Sequence, residues 1–120
     1  MGTLLLTSVF SLLFFMFSPT HAKSTTFYDL PIELQFVALC ESGGKQSARG
    51  PFGEIGIMQI HPKYHLIRAK SLGFNIYNAN DNMAYALILY TEQGLTPWNA
   101  SKKCHGPMTY RATLWSNGVN

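Results

Sequence analysis

Residues 30–44, LPIELQFVALCESGG, decide the fold, because they place an almost entirely apolar segment directly before two glycines. A segment that is apolar on nearly every side is typical of a helix buried in a domain core, and we predict this helix from Leu30 to Glu41. At about 3.6 residues per turn, one stripe of the helix comprises Leu30, Leu34, Val37 and Glu41. The carboxyl group of Glu41 is therefore predicted to lie among core side chains.

The predicted position of Glu41 is unfavourable for an anion. Low polarity disfavours the charged form, and the partial negative charge at a helix C-terminus disfavours it further. Both effects are expected to raise the pKa of Glu41, and a raised pKa suits a general acid. The alternative is an ordinary charged residue that ends the helix and reaches water beside Gly43 and Gly44.

Three short patterns follow one another along the chain: Glu41-Ser42, then Gly56-Ile57-Met58-Gln59, then an apolar helix from Asn82 through Tyr90. In this order and spacing the chain resembles the lysozyme-like, SLT-type lytic transglycosylases. Their motifs are a helix-ending Glu-Ser, a Gly-Leu-Met-Gln segment, a buried helix and an Ala-Tyr-Asn segment. The resemblance covers about residues 30–104.

The resemblance implies an α+β, predominantly helical, lysozyme-like domain with a small turn or hairpin region between the first and second helices. It also implies cleavage of the MurNAc-GlcNAc bond of peptidoglycan by Glu41, acting first as acid and then as base. The 6-hydroxyl of the muramic acid residue then forms an anhydro product without water. By the same resemblance, Ser42, Met58 and Gln59 bind or position the substrate, although Met58 as core and Gln59 as a loop-stabilising amide are alternatives.

The fourth motif departs from the family, since Pro97-Trp98-Asn99-Ala100 stands where Ala-Tyr-Asn is expected. Trp98 replaces the tyrosine that contacts the catalytic carboxylate, and an indole has no phenolic hydroxyl. Trp98 can line an apolar wall and stack on a sugar ring, or it can be buried and pack the last loop. Trp98 and Asn99 are retained as expected substrate-binding residues.

Glycoside hydrolases commonly add a second carboxylate across the sugar, and Glu54, in the glycine-rich turn region, is the best candidate by position. Its alternative is a solvent-exposed turn residue. If Glu54 positions a water molecule, the protein is a hydrolase similar to goose-type lysozyme. A third possibility is a peptidoglycan-binding module with weak catalysis.

Glycines and prolines divide the rest of the chain. The stretch from Gly43 to Gly56 predicts turns. A second helix is predicted from Pro62 to Leu72. A third helix is predicted from Asn82 to Gln93, with Asn80 or Asp81 as its N-cap. We expect residues 1–22 to be a signal peptide, 23–104 the catalytic domain and 105–120 a tail to which the sequence assigns no role.

The expected signal peptide has an apolar run at residues 4–17, with small residues at Thr20 and Ala22 before the predicted cleavage site. No Lys or Arg precedes the run, which leaves an uncleaved, membrane-tethered form as the competing hypothesis. Export would place the protein in the periplasm, outside the cell or in a virion. In an oxidising compartment Cys40 and Cys104 can pair, which we predict, with two buried free thiols as the alternative.

The net charge of +3 favours approach to an anionic wall polymer, but the Lys and Arg residues form no clustered face of the kind that binds nucleic acid. His61 and His65 are four residues apart without an evident third ligand, so we predict no metal site. We also expect no cofactor, and a monomer whose partner is the glycan strand of peptidoglycan.

Overall fold

The structure is a computed structural model, and it describes residues 24–119. Four α-helices contain most of these residues. They are α1 (Ile32–Ser42), α2 (Pro62–Ser71), α3 (Ala79–Gln93) and α4 (Lys102–Ser116), with 3-10 helices at Phe27–Asp29 and Thr96–Ser101. Among these residues no helix has the length and apolar character needed to span a membrane. The expected signal peptide, residues 1–22, lies outside the described residues.

Helix α1 starts two residues after the predicted position because Pro31 has an extended ψ of 146° and serves as its N-cap. Gly43 ends the helix in the left-handed conformation, with φ of 64°, and its N–H donates to the carbonyl groups of the last turn. A glycine adopts this conformation without the steric cost that a Cβ atom would add. Leu34, Val37 and Ala38 have no exposed surface, so the helix packs into the core as predicted.

The segment between α1 and α2 contains turns and two isolated antiparallel bridges, Arg49 with Ile55 and Ile55 with Ile60. The second bridge is a reciprocal pair of backbone hydrogen bonds of 2.9 and 3.0 Å. This is the region where the sequence predicts a small turn or hairpin element. The backbone turns sharply here, since Gly56 and Gln59 both have positive φ, at 78° and 49°.

Helix α3 begins about one turn before its predicted start. Its N-cap is Asn78, whose Oδ1 accepts hydrogen bonds from the backbone N–H groups of Asn80 and Asp81. The prediction of Asn80 or Asp81 as the cap is therefore wrong, because both residues are already inside the helix, and the residue with the extended backbone typical of an N-cap is Asn78. The predicted end is confirmed, with Gln93 as the last helical residue and Gly94 as the C-cap.

Helix α4 occupies most of the segment to which the sequence assigned no role. The domain boundary expected after Cys104 falls inside this helix, which packs against α1. Its amphipathic pattern is hard to recognise because Gly106 and Pro107 lie within it, and both residues normally indicate a break in a helix. The folded unit therefore extends at least to Ser116.

The core lies between α1, the turn region, α3 and the second 3-10 helix. Its buried apolar residues are Leu30, Leu34, Val37, Ala38, Ile55, Ile57, Met58, Ile60, Ala69, Ile76, Met83, Tyr85, Ala86, Leu89 and Trp98. Two polar residues, Asn82 and His105, are buried with them. His105 acts on Glu41 at the C-terminal end of α1, where the candidate site is found, and Asn82 bonds the turn region that follows α1.

Candidate active site

Glu41 lies in the last turn of α1 and is half-buried. Its Oε1 accepts a hydrogen bond of 2.6 Å from Ser101 Oγ, at the end of the second 3-10 helix. Burial raises the pKa of Glu41 above its usual range, while the Ser101 hydroxyl and the charge of His105 act in the opposite direction, and the negative charge of Glu54 raises the pKa further. The direction agrees with the sequence-based prediction for Glu41.

Ser42 connects the end of α1 to the turn region. Its Oγ lies 2.7 Å from the carbonyl oxygen of Ile57 and 3.0 Å from that of Ala38, and it accepts a hydrogen bond of 3.1 Å from the N–H of Gly44. These contacts hold the Ile57 backbone against Ser42, the neighbour of Glu41. Ser42 thus positions the backbone around the carboxyl group.

Met58 is a core residue, with no exposed surface. Its backbone N–H donates to Asn82 Oδ1 at 2.9 Å, and its carbonyl oxygen accepts from Trp98 Nε1 at 2.9 Å. The N–H group is therefore already bonded and is not available to a sugar. Of the two possibilities that the sequence left open for Met58, the structure agrees with the core position.

Trp98 is only 3% exposed, so its ring cannot stack on a sugar in this conformation. Of the two sequence-based possibilities, the structure agrees with the buried residue that packs the last loop. The expected substrate contact of Trp98 is corrected accordingly: the indole N–H fixes the Met58 backbone, as described above. The adjacent Asn99 is exposed and lines a groove of about 410 Å³ along the start of α4.

Glu54 and Gln59 both lie against Gly50. A Cβ atom at Gly50 would collide with the Glu54 carboxylate, and it would approach Gln59 Oε1 to 2.7 Å. Glu54 Oε2 accepts a hydrogen bond of 2.9 Å from the Phe52 N–H, while Gln59 Nε2 donates to the Gly56 carbonyl at 2.9 Å. Both side chains therefore stabilise the turn region, and the charge of Glu54 also acts on Glu41.

Asn82 is a buried site residue that the sequence analysis did not identify as such. Besides bonding Met58, its Nδ2 donates to the carbonyl oxygens of Ile55 and Ile76, at 2.9 Å each. One side chain thus links α3 to the turn region that carries Met58 and to the segment between α2 and α3. The available signal was an asparagine at the start of an otherwise apolar helix, where a buried amide needs partners.

Ser101 and His105 were also missed. His105 is 1% exposed, and its Nε2 lies 3.2 Å from the Trp98 carbonyl oxygen, which is also 3.2 Å from Ser101 Oγ. Both residues are close in sequence to Cys104, and the predicted pairing of Cys104 with Cys40 was the signal that could have placed them near α1.

The disulfide between Cys40 and Cys104 is present, as predicted, with a Cα–Cα distance of 5.9 Å. It joins the residue that precedes Glu41 to the first turn of α4. Because Ser101 is three residues before Cys104, the bridge brings Ser101 to the carboxyl group of Glu41.

In residues 24–119 no group of three His, Cys, Asp or Glu side chains could hold a metal ion. His65 Nδ1 is instead 3.0 Å from the hydroxyl of Tyr85. The chemistry of the described site thus consists of one half-buried carboxylic acid with hydroxyl, imidazole and amide groups around it.

Comparison with protein-family models, with curated proteins and with solved structures gives no match for this chain.

Proposed function

We propose that this protein is an exported lytic transglycosylase of lysozyme-like fold that cleaves the MurNAc-GlcNAc bond of peptidoglycan. The observation that carries the proposal is Glu41, a half-buried carboxylic acid at the end of a core helix, with a raised pKa and one oxygen held by Ser101. A protonated acid in such a position is what glycosidic cleavage requires. The order of the Glu41-Ser42 and Gly56-Ile57-Met58-Gln59 motifs supports the same class.

In the proposed reaction, Glu41 first donates its proton to the oxygen that bridges the two sugars. The bond from the muramic acid anomeric carbon to that oxygen breaks, and the leaving sugar departs with a neutral hydroxyl. The Glu41 carboxylate then accepts the proton of the muramic acid 6-hydroxyl as its oxygen bonds to the anomeric carbon. One carboxyl group thus serves both steps and is protonated again at the end.

A hydrolase is the second candidate. It is favoured by the second carboxylate, Glu54, whose negative charge raises the pKa of Glu41. In that version a water molecule attacks the anomeric carbon, and the products have reducing ends. The engagement of Glu54 with the Phe52 N–H makes it a weaker candidate for a base than a free carboxylate. A binding module that lacks turnover is the third candidate.

Mass spectrometry of the soluble products from purified peptidoglycan distinguishes the three candidates. The full chain, produced by export so that the disulfide forms, is compared with its Glu41→Gln variant. Glu33→Gln, the same substitution at the other end of α1, is the matched control. We expect anhydro-muropeptides from the native protein and from Glu33→Gln, and at least about a hundredfold less from Glu41→Gln, because loss of the general acid removes that order of rate.

Reducing muropeptides in place of anhydro products would contradict the transglycosylase proposal in favour of hydrolysis. Binding of peptidoglycan without any soluble product from native protein would contradict both enzymatic candidates. Circular dichroism of Glu41→Gln must match that of the native protein, so that the loss of product is assigned to the missing acid.

A further inference from the structure

We propose that Ser101 is the positioning residue for Glu41: it holds Oε1 so that Oε2 carries the proton to the substrate, and it stays bonded while Glu41 changes protonation state. The inference depends on the proposed function, and it assigns to Ser101 the hydroxyl that the family's tyrosine would supply. The observation that supports this inference is the 2.6 Å hydrogen bond that Ser101 Oγ donates to Glu41 Oε1.

Ser101 is fixed on both sides along the chain. Three residues before it, Trp98 is buried and donates its indole N–H to the Met58 carbonyl oxygen. Three residues after it, Cys104 is bonded to Cys40, the neighbour of Glu41. Two anchors so close to the hydroxyl restrict its position, which lowers the entropic cost of holding the carboxyl group in one orientation.

The Ser101 hydroxyl has one hydrogen and two acceptors within reach, Glu41 Oε1 at 2.6 Å and the Trp98 carbonyl oxygen at 3.2 Å. When Glu41 is a carboxylate, the hydrogen is best placed on Oε1, because hydrogen bonds to charged acceptors are the stronger ones. When Glu41 is protonated on Oε2, Oε1 is the carbonyl oxygen of the acid, and it still accepts the Ser101 hydrogen. The hydroxyl is therefore satisfied in both halves of an acid-base cycle.

Among residues 24–119, Glu41 Oε2 has no hydrogen-bond partner, and it is the oxygen left for a substrate. The titratable groups that act on Glu41 besides Ser101 are His105, on α4, and Glu54, in the turn region. A Ser101 substitution leaves both of them in place. A change in the titration of Glu41 in such a variant is thus assigned to the lost hydroxyl.

The sign of the expected change follows from the bond. A donor to the carboxylate stabilises the charged form, so that the Ser101 hydroxyl lowers the pKa of Glu41. The acid must be protonated in the free enzyme, and kcat/KM therefore falls as pH rises through that pKa. Removing the hydroxyl raises the pKa, which moves the alkaline limb of the profile to higher pH.

The test compares native protein with Ser101→Ala, Ser101→Thr and Ser116→Ala, the last being an exposed serine of α4 whose hydroxyl bonds only within the helix. Two readouts are used: the pH profile of kcat/KM on peptidoglycan, and titration of the Glu41 carboxyl carbon by NMR, assigned with Glu41→Gln. We expect Ser101→Ala to lower kcat/KM at the native optimum about tenfold or more. Its alkaline limb and its NMR titration should both move to higher pH.

We expect Ser101→Thr, which keeps a hydroxyl, to restore both readouts towards native values, and Ser116→Ala to change neither. An unmoved alkaline limb and an unmoved NMR titration in Ser101→Ala would overturn the inference, even if kcat/KM fell, since lost packing alone lowers activity equally at all pH. Failure of the proposed function gives a different result: native protein without turnover, while the NMR titration still moves in Ser101→Ala.

Discussion

At the scale of single residues, the buried amide of Asn82 organises the backbone of the turn region around Met58. It makes hydrogen bonds to three backbone groups, those of Ile55, Met58 and Ile76. The carbonyl oxygens of Ile55 and Ile76 have further donors, from the Ile60 N–H and from Gln46, whereas the Met58 N–H depends on Asn82. Buried polar groups that lose their partners cost more than the bond itself contributes.

We predict that Asn82→Ala lowers the free energy of unfolding by about 3 kcal/mol, since one buried N–H is left unpaired and two further bonds are lost. Urea denaturation followed by circular dichroism measures the change. Asn80→Ala, an exposed asparagine in the same first turn, is the control and should change stability by no more than about 0.5 kcal/mol. A loss below about 1 kcal/mol for Asn82→Ala would show that water can replace the amide.

At the scale of elements, α4 forms despite residues that weaken helices. Pro107 lacks the N–H that would bond the preceding turn, and Gly106 adds backbone entropy to the unfolded chain. The helix is nevertheless fixed by the disulfide at Cys104 and by the packing of its first turns against α1. Tertiary contacts therefore outweigh low intrinsic propensity in this element.

We predict that Gly106→Ala changes the free energy of unfolding by less than about 1 kcal/mol, because the higher helix propensity of alanine is opposed by the clash of its Cβ atom with the ring of Pro107, the next residue. Apart from its chain neighbours, the new Cβ atom would meet Lys102 Cγ at 3.7 Å, an ordinary contact distance. Gly94→Ala is the strained case, since Gly94 has φ of 60° and a Cβ atom there has no compensating gain in helix propensity. Thermal denaturation should show Gly94→Ala as the more destabilised variant, and a larger loss in Gly106→Ala would contradict the prediction.

At the scale of the whole molecule, one disulfide closes a loop with a sequence separation of 64 residues. A loop of this length contributes about 4 kcal/mol in the chain-entropy model, a large part of the stability of a small domain. The bridge also holds Glu41, next to Cys40, against Ser101, one turn before Cys104. Stability and site geometry thus depend on the same bond.

We predict that reduction of the native protein lowers the free energy of unfolding by about 2–4 kcal/mol and weakens turnover on peptidoglycan. The measurements are denaturation and product release with and without a thiol reductant, after alkylation to confirm that both thiols are free. The Cys40→Ala, Cys104→Ala double variant is the control and should not respond to the reductant. Full stability and activity in the reduced, alkylated protein would remove the structural role of the bridge.

Much of the fold could be predicted because its signals are local. The ends of α1 and α3 are determined by Gly43 and Gly94, the start of α2 by Pro62, and the glycine-rich segment between α1 and α2 predicts turns. The disulfide could be predicted because the chain contains two cysteines. The start of α3 and the whole of α4 could not, since caps depend on backbone conformation and α4 depends on its contact with α1.

By itself, then, the sequence determined a helical domain with a buried first helix, a carboxyl group at the end of that helix and one disulfide. The tertiary structure alone decided which groups surround the carboxyl group. Ser101 lies 60 residues from Glu41, and Trp98 lies 40 residues from Met58. Contacts over such separations are formed by packing and loop closure, which leave no periodic pattern in the chain.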